Sequence, residues 1–440
     1  MTSSPPPLVY LVYRETLSSV IASQVLTPLE EYRRVARVAL GFLTPVGHLL
    51  RPQHRPTLRG IESRCQQASI EVGWIPSPPA RLPWLWSNAF LVRHWISKRF
   101  HQEQPFIVRC RNATMTGIAL DALRDFHGAK VIYDCRGAEV TETIQLLGMT
   151  DCPPSNWNAD TRRAIENAAV CERRAVREAA GVTCVSQAMV DMLRSNYPDQ
   201  PAEKFFVAPC CPDVDAFSRV AADRDTVRQE LGFADKFVVS YVGSLAWYQL
   251  PEASFRLFRR IKARRPDAHF FAITTEPEKM RQLVAQAGIA STDVTIRSVP
   301  APEVPRLLVA SDWGLMLRDD SETNRVASPI KFGEYMAAGV PVVISPRLGD
   351  YSDLVRRRGL GVEVDLSTDD AALDAALWPG DTTEPRAHEA ARQRCRDYAA
   401  SDLAWSSVIP RLANWFESLC PRTLPAPSEP SRLEGLANRS

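Results

Sequence analysis

The stretch "NRVASPIKFGEYMAAGVPVVIS", residues 324–345, passes from a helix into a buried strand, and its reading sets the fold of the rest. Ser328 before Pro329 predicts a helix start, because serine can accept from free N–H groups and proline at the first helical position loses no needed donor. Gly339 predicts the end of this three-turn helix, and Pro341 forbids its return. Ile330, Phe332, Met336, Ala337 and Ala338 read as core. Ser328, Lys331 and Glu334 instead recur at intervals of three and form one polar stripe. The "PVVIS" that follows is a nearly continuous apolar run, as a strand covered on both faces should be.

The same alternation extends in both directions. "KFVVSYVG" at 236–243 opens a series in which "HFFAIT" (269), "DVTIRSV" (293), "DWGLML" (312) and "PVVIS" (341) alternate with helical segments. In the first half "LVYLVY" at 8–13 is followed by helical spacing from Leu17 to Leu40. Strand-like runs then come at 70 ("IEVGW"), 105 ("PFIVRC") and 129 ("AKVIYD"), with a helix predicted over Met115 to Phe126. A long helix from Asp160 to Ala180 is predicted to stop at Gly181, "VTCVS" follows as a strand, and Ser186 is placed to cap the next helix. "FFVAP" near 205 closes the half.

An α/β protein of two doubly wound, Rossmann-like domains follows, joined near "APCCPDVDAFSR" at 208–219. The expected limits are a flexible lead at 1–7, domains at 8–215 and 216–385, helices at 386–419, and a disordered, proline-rich tail at 420–440. In such sheets ligands sit beyond the carboxyl ends of the strands, so two sets of strand ends can face one cleft.

Composition agrees with a globular chain of this size. Of 440 residues, 45% are apolar and 24% charged, and lysine plus arginine exceed aspartate plus glutamate by 53 − 51 = 2. No global basic field points to nucleic acid. The ten cysteines lack C-x-x-C or Cys/His spacing, which fits a reducing compartment better than a disulfide framework or zinc site. No secretion signal and no run of 18 apolar residues is read, so a cytoplasmic protein is expected.

The polar stripe carries the first chemical suggestion. It starts at a helix N-terminus, where unsatisfied N–H groups and the macrodipole favour an anion such as phosphate. Lys331 adds a full charge. Glu334 lies about 9 Å beyond Ser328, at a 1.5 Å rise per residue, where it can accept from hydroxyls such as a ribose diol. The same spacing equally describes a Lys331–Glu334 surface pair worth a few tenths of a kcal/mol.

The run "GLMLRDDSETNRVASPIKFGEYMAAGVPVVISPRLGD" resembles the donor-binding segment of the family 4 retaining glycosyltransferases with a GT-B fold, in the subgroup found among bacterial surface-polysaccharide enzymes. The resemblance implies that Glu334 holds the nucleotide ribose and that Ala327, Ser328, Ile330 and Lys331 hold the diphosphate. It also flags Arg318, Asn324, Gly349 and Asp350. Many members carry another glutamate eight residues earlier, against the donor sugar, where this chain has Val326. The usual arginine and lysine after the first strand of the second domain are replaced by Ser244 and Gln249 in "GSLAWYQ". Arg318 and Lys331 are therefore the expected source of charge on the diphosphate leaving group, completing with Glu334 the catalytic set. At Gly243 no side chain blocks close approach, so Gly243 and Ser244 read as a donor loop.

In the first half "VIYDCRGAEVTE", 131–142, resembles an Asp-x-Arg-Gly…Glu segment of the same subgroup. Asp134, Arg136, Gly137 and Glu142 then belong to the acceptor side of the cleft; the competing reading is an ion pair fastening the strand end. The resemblance implies a C-terminal helix crossing back to the first domain, a hexosyltransferase-type activity with retention, and no cofactor beyond the nucleotide-sugar donor. It implies no catalytic metal either, leaving "DVD" at 213–215 a structural part. The expected acceptor is a glycan or lipid-linked glycan. Residues 74–100, rich in Trp84, Trp86, Phe90, Trp95 and basic side chains, fit either peripheral contact with the inner face of a membrane or a core helix with a solvated basic face. Two rival readings stay open: a nucleotide-sugar epimerase of the same fold, and a non-catalytic nucleotide-sugar or glycan-binding protein.

Overall fold

In the computed structural model, which describes residues 5–15, 17, 20–77, 87–150, 152–378 and 385–420, the apolar runs become two fully parallel sheets. The first holds β1 (Leu8–Tyr13), β2 (Val38–Pro45), β3 (Glu71–Ser77), β4 (Phe106–Arg111), β5 (Ala129–Cys135), β6 (Gly181–Cys184) and β7 (Phe205–Val207), in the order β3-β2-β1-β4-β5-β6-β7. The second holds β8 (Phe237–Val242), β9 (Ala268–Ile273), β10 (Val294–Arg297), β11 (Trp313–Met316), β12 (Val342–Ile344) and β13 (Gly361–Glu363), ordered β10-β9-β8-β11-β12-β13. Every residue of β4, β8 and β9 is buried, because crossover helices cover both faces of the sheets. Strand order reverses direction at β1/β4 and at β8/β11, which makes a crevice at each carboxyl end.

Three local readings are corrected. Helical turns cover only Ala22–Leu26 and Thr27–Arg33, and the spacing that ran on to Leu40 ends in β2. Tertiary packing overrides the pattern there: β2 lies between β1 and β3, and a Cβ at Gly41 would come within 2.8 Å of Leu11 and 3.2 Å of Trp95. Gly181 does not cap the long helix, which spans Ala159–Glu178 and ends through an extended Ala179. It opens β6, where a Cβ would sit 2.6 Å from Trp415. The helix after Ser328 is shorter than expected, Ile330–Ala337, although Gly339 does end it at φ +67°.

Two C-terminal helices join the halves. Pro385–Asp402 packs Cys395 and Ala399, with Leu403 just beyond it, on Phe332 and Met336 of the second domain. Trp405–Leu419 crosses back, burying Trp405, Val408, Ile409, Leu412 and Phe416 with Leu8, Tyr32 and Phe42 of the first. Each large apolar side chain buried this way contributes roughly 1.5–3 kcal/mol. The crossing is thus a strong covalent and apolar tie.

Of the aromatic–basic segment 74–100, residues 78–86, including Arg81, Trp84 and Trp86, lie outside the described residues, as do 1–4 of the lead and 421–440 of the tail. The described part forms the helix Asn88–Ser97, with Val92, Trp95 and Ile96 in the core and Phe90 53% exposed. No described helix is long and apolar enough to cross a membrane.

Candidate active site

The two crevices open onto one cleft of about 900 Å³, lined from the first domain by Arg136, Gly137 and Glu142 and from the second by Gly243, Arg318, Lys331 and Glu334, among others. Ser244, Asn324, Ala327, Ser328 and Ile330 reach the same surface. The residues expected on the donor and acceptor sides of the cleft are thereby brought together, except Gly349 and Asp350 on the donor side and Asp134 on the acceptor side.

On the helix Ile330–Ala337, Phe332, Tyr335, Met336 and Ala337 are buried, and the polar stripe faces the cleft. Lys331 Nζ donates to Glu334 Oε2 at 2.7 Å. The predicted pair is therefore made, but within the cleft wall and not on open surface. Ser328 does not cap this helix: the cap position is Pro329, with no side-chain bond. Its hydroxyl accepts from the Cys210 N–H at 3.0 Å and lies 2.7 Å from the Tyr351 hydroxyl, so it fastens the interdomain segment to the second domain. Ile330 and Lys331 open this helix and line the cleft, and the N–H groups of a first helical turn have no intrahelical partner, as an anion site needs.

The loop after β8 is held stiffly. Gly243 has φ +145°, and a Cβ there would meet Gln249 Oε1 at 2.7 Å. Gln249 Nε2 donates to Ser244 Oγ at 2.7 Å, so the two positions that lack the usual charges satisfy each other as a neutral pair. Arg318 follows β11, its backbone N–H donating to Ser345 Oγ at 2.6 Å and its guanidinium 5.8 Å from the Tyr248 ring centroid. One guanidinium nitrogen donates to Leu317 O at 3.1 Å. Burial pulls its pKa down, with Tyr241 and Tyr248 opposing, yet arginine stays protonated. Among the described residues no carboxylate forms an ion pair with it.

Asp134, Gly349 and Asp350 do not line the cleft. Asp134 is 1% exposed beneath it, accepting from the Tyr10 hydroxyl, from Arg109 at 2.6 Å and from Thr183 Oγ1 at 2.9 Å. Burial alone would raise its pKa, but Arg109, Arg136 and the Tyr10 hydroxyl hold it at about 2. The strand-fastening reading is the one its geometry fits. Gly349, at φ +50°, lets the chain pass over Ala327, whose carbonyl oxygen would lie 2.0 Å from a Cβ. Asp350 accepts from the N–H groups of Gln187 (2.7 Å) and Ala188 (2.9 Å) in the first domain. There, beside Ser186 capping Met189 N at 3.0 Å, it is a carboxylate on the positive end of the helix Gln187–Asn196. Asn324 reaches the cleft but mainly ties its own loop, donating to Asp319 and giving its carbonyl to Gly349 N at 3.0 Å. Asp213 of the "DVD" caps its own helix through Ala216 N at 2.9 Å.

Sequence reasoning passed over several cleft residues. Trp247 and Tyr248 are 59% and 41% exposed at its wall, and only their large size in a polar loop could have flagged them. Thr141 and Gln145, on the helix Glu139–Leu146, bond across to Glu322 and, at 3.0 Å, to Thr323. At the start of that helix Glu139 accepts from Tyr133 Oη (2.8 Å) and Ala113 N (2.7 Å). Burial pushes its pKa up to about 7 against those two bonds, with Glu172 and Glu142 adding to the rise. Because the folded acid keeps a proton that the unfolded chain releases above pH 4.5, stability should fall as pH rises from about 5 to 8. The fall should be about 2 kcal/mol, somewhat below the full linkage value of about 3. Denaturant unfolding at both pH values measures it, and Glu139→Gln should flatten the slope; an unchanged slope would exclude Glu139 as its source.

Family models match both halves: "Glycosyl transferase 4-like domain" over residues 20–211 and "Glycosyl transferases group 1" over 223–384. No curated protein sequence matches significantly. Among solved structures, Alr3699/HepE of Anabaena, in complex with UDP and glucose, is 15% identical with a TM-score of 0.64, over 94% of this chain and all of that one. A glycosyltransferase from Rickettsia africae is 11% identical with a TM-score of 0.67, over 96% and 100%. WaaG, a glycosyltransferase involved in lipopolysaccharide biosynthesis, is 15% identical with a TM-score of 0.61, over 93% and 98%.

Proposed function

The chain belongs to the family 4 glycosyltransferases of GT-B fold, which act from nucleotide-sugar donors, and on that premise we propose that it is a retaining, metal-independent hexosyltransferase of bacterial surface-glycan synthesis. The donor is a nucleoside-diphosphate sugar, and UDP-glucose is the first to try, since HepE binds UDP and glucose in a like fold. The acceptor is a hydroxyl of a glycan or lipid-linked glycan, brought to the cleft by peripheral contact with the inner membrane face. In this reading the N–H groups at 330 and 331, Lys331 and Arg318 take the diphosphate, Glu334 takes the ribose, and the Gly243–Ser244 loop approaches the donor backbone-first.

The observation that carries the proposal is Arg318, a cation at the β8/β11 crevice without a carboxylate partner among the described residues, beside the helix start that Lys331 and Glu334 flank. Breaking the glycosidic bond leaves a diphosphate anion, and a site of this kind stabilises it most as the charge develops. Positioning supplies the rest, so no protein nucleophile is required.

A panel of nucleotide sugars read by nucleoside-diphosphate release, with and without a candidate acceptor, tests it. We expect acceptor-dependent release that persists in excess chelator. Conversion without an acceptor would mean an epimerase, binding without turnover a non-catalytic protein, and chelator inhibition reversed by a divalent ion a metal-dependent transferase.

A further inference from the structure

The position that usually supplies a second carboxylate to the donor sugar is turned away from it here. Val326 is buried among Cys184, Val185, Met189 and Val190 of the first domain, and its carbonyl accepts from Ser186 Oγ at 2.6 Å. Residue 326 is therefore part of the interdomain core. A transferred sugar still presents several hydroxyls and gathers positive charge at its ring as the bond to phosphate breaks, and both features call for a carboxylate. Only two acidic side chains line the cleft among the described residues, Glu334 and Glu142. Glu334 is occupied by Lys331 at 2.7 Å.

From this we infer that Glu142, projecting from the first domain, binds the hydroxyls of the transferred sugar and takes the place of the missing second carboxylate. The inference rests on the donor reading above. Three features of the structure support it. Glu142 lines the cleft and forms no ion pair among the described residues, so its carboxylate is not spent on a cation there. Gly137 is shaped for it: a Cβ there would lie 1.9 Å from Glu142 Oε1, so the glycine leaves the seat in which the carboxylate rests. Finally, its neighbours Thr141 and Gln145 bond to Glu322 and Thr323, the turn that leads into Val326. Glu142 is thus tied to the donor-side loop of the second domain, and a donor sugar suits that location better than an acceptor does.

Two variants test the assignment, with the full-length protein and UDP, UDP-glucose and whichever other nucleotide sugar the panel returns as probes. Glu142→Gln keeps the shape and removes the charge. Gly137→Ala displaces the carboxylate by filling its seat, and since the clash is with the end of a flexible side chain, the fold should persist. In both, calorimetry should show UDP affinity within about twofold of the unmodified protein while the nucleotide sugar binds at least about 10-fold more weakly. Turnover should fall about 10–100-fold with the acceptor KM unchanged. A raised acceptor KM with intact donor affinity would overturn the inference and place Glu142 on the acceptor. Unchanged binding and turnover in both variants would overturn it too. If the unmodified protein binds no nucleotide sugar, the donor reading itself fails and this one with it.

Discussion

Replacing Arg318 with alanine should lower turnover by about 10²–10³-fold, the range seen when one preorganised donor to a developing oxyanion is removed. Among the described residues three cations line the cleft: Arg136, Arg318 and Lys331. Lys331 is neutralised by Glu334 at 2.7 Å, and Arg136 lies 3.8 Å from Asp134 while donating to Gln24 and Cys210. Among the described residues the Arg318 guanidinium meets its own loop carbonyl and an aromatic face but no carboxylate, so its charge is the least spent in the absence of substrate. The neutral Ser244–Gln249 pair means that no other cation of the β8 loop can compensate. Because leaving-group charge grows between ground and transition state, the loss should fall mainly on kcat, with the donor KM changed by less than about 10-fold. Arg318→Lys should recover part of it, since a lysine supplies the charge without the planar fork. Steady-state kinetics with varied donor decides the matter: a large rise in KM at constant kcat would make Arg318 a uniform binder and leave the leaving group without its proposed stabiliser.

What the sequence made legible was local. Nearly continuous apolar runs located most of the strands, and the three-residue spacing of Lys331 and Glu334 put both on one helix face, which the packing of the second domain turns to the cleft. β2 was lost to a helical pattern because its place in the sheet is decided by Leu11 and Trp95, 30 and 54 residues away from Gly41. Ser328 looked like a cap because caps are a local motif, yet its hydroxyl is claimed by Cys210 and Tyr351. Asp350 shows the same limit most clearly. Its partners, Gln187 and Ala188, belong to the other domain, and no pattern around residue 350 announces a helix start there. Asp134 is the converse case: a polar residue at a strand end reads as a ligand contact until Arg109, Tyr10 and Thr183 are seen to use its oxygens. That Arg318 has no carboxylate partner among the described residues could not be read from sequence at all, since it depends on where distant acids come to rest.

Glu334→Ala is expected to separate the two halves of the site, weakening UDP binding by about 10–100-fold while leaving inorganic pyrophosphate bound at least as tightly as before. Two effects oppose each other. Removing the carboxylate takes away the acceptor for ribose hydroxyls, and hydrogen bonds to a charged group contribute about 1.5–3 kcal/mol each. It also frees Lys331 from a partly buried ion pair, which costs at most about 1 kcal/mol to lose and returns a full charge to any phosphate at the helix start. For UDP the first effect is larger. For pyrophosphate, which has no ribose, only the second operates. A Lys331–Glu334 pair with no ligand role would give neither pattern, because its loss would alter stability slightly and shift both ligands alike or not at all. Calorimetry with the two probes on the same protein therefore distinguishes a nucleotide clamp from an ion pair, and unchanged UDP affinity would remove Glu334 from the donor site.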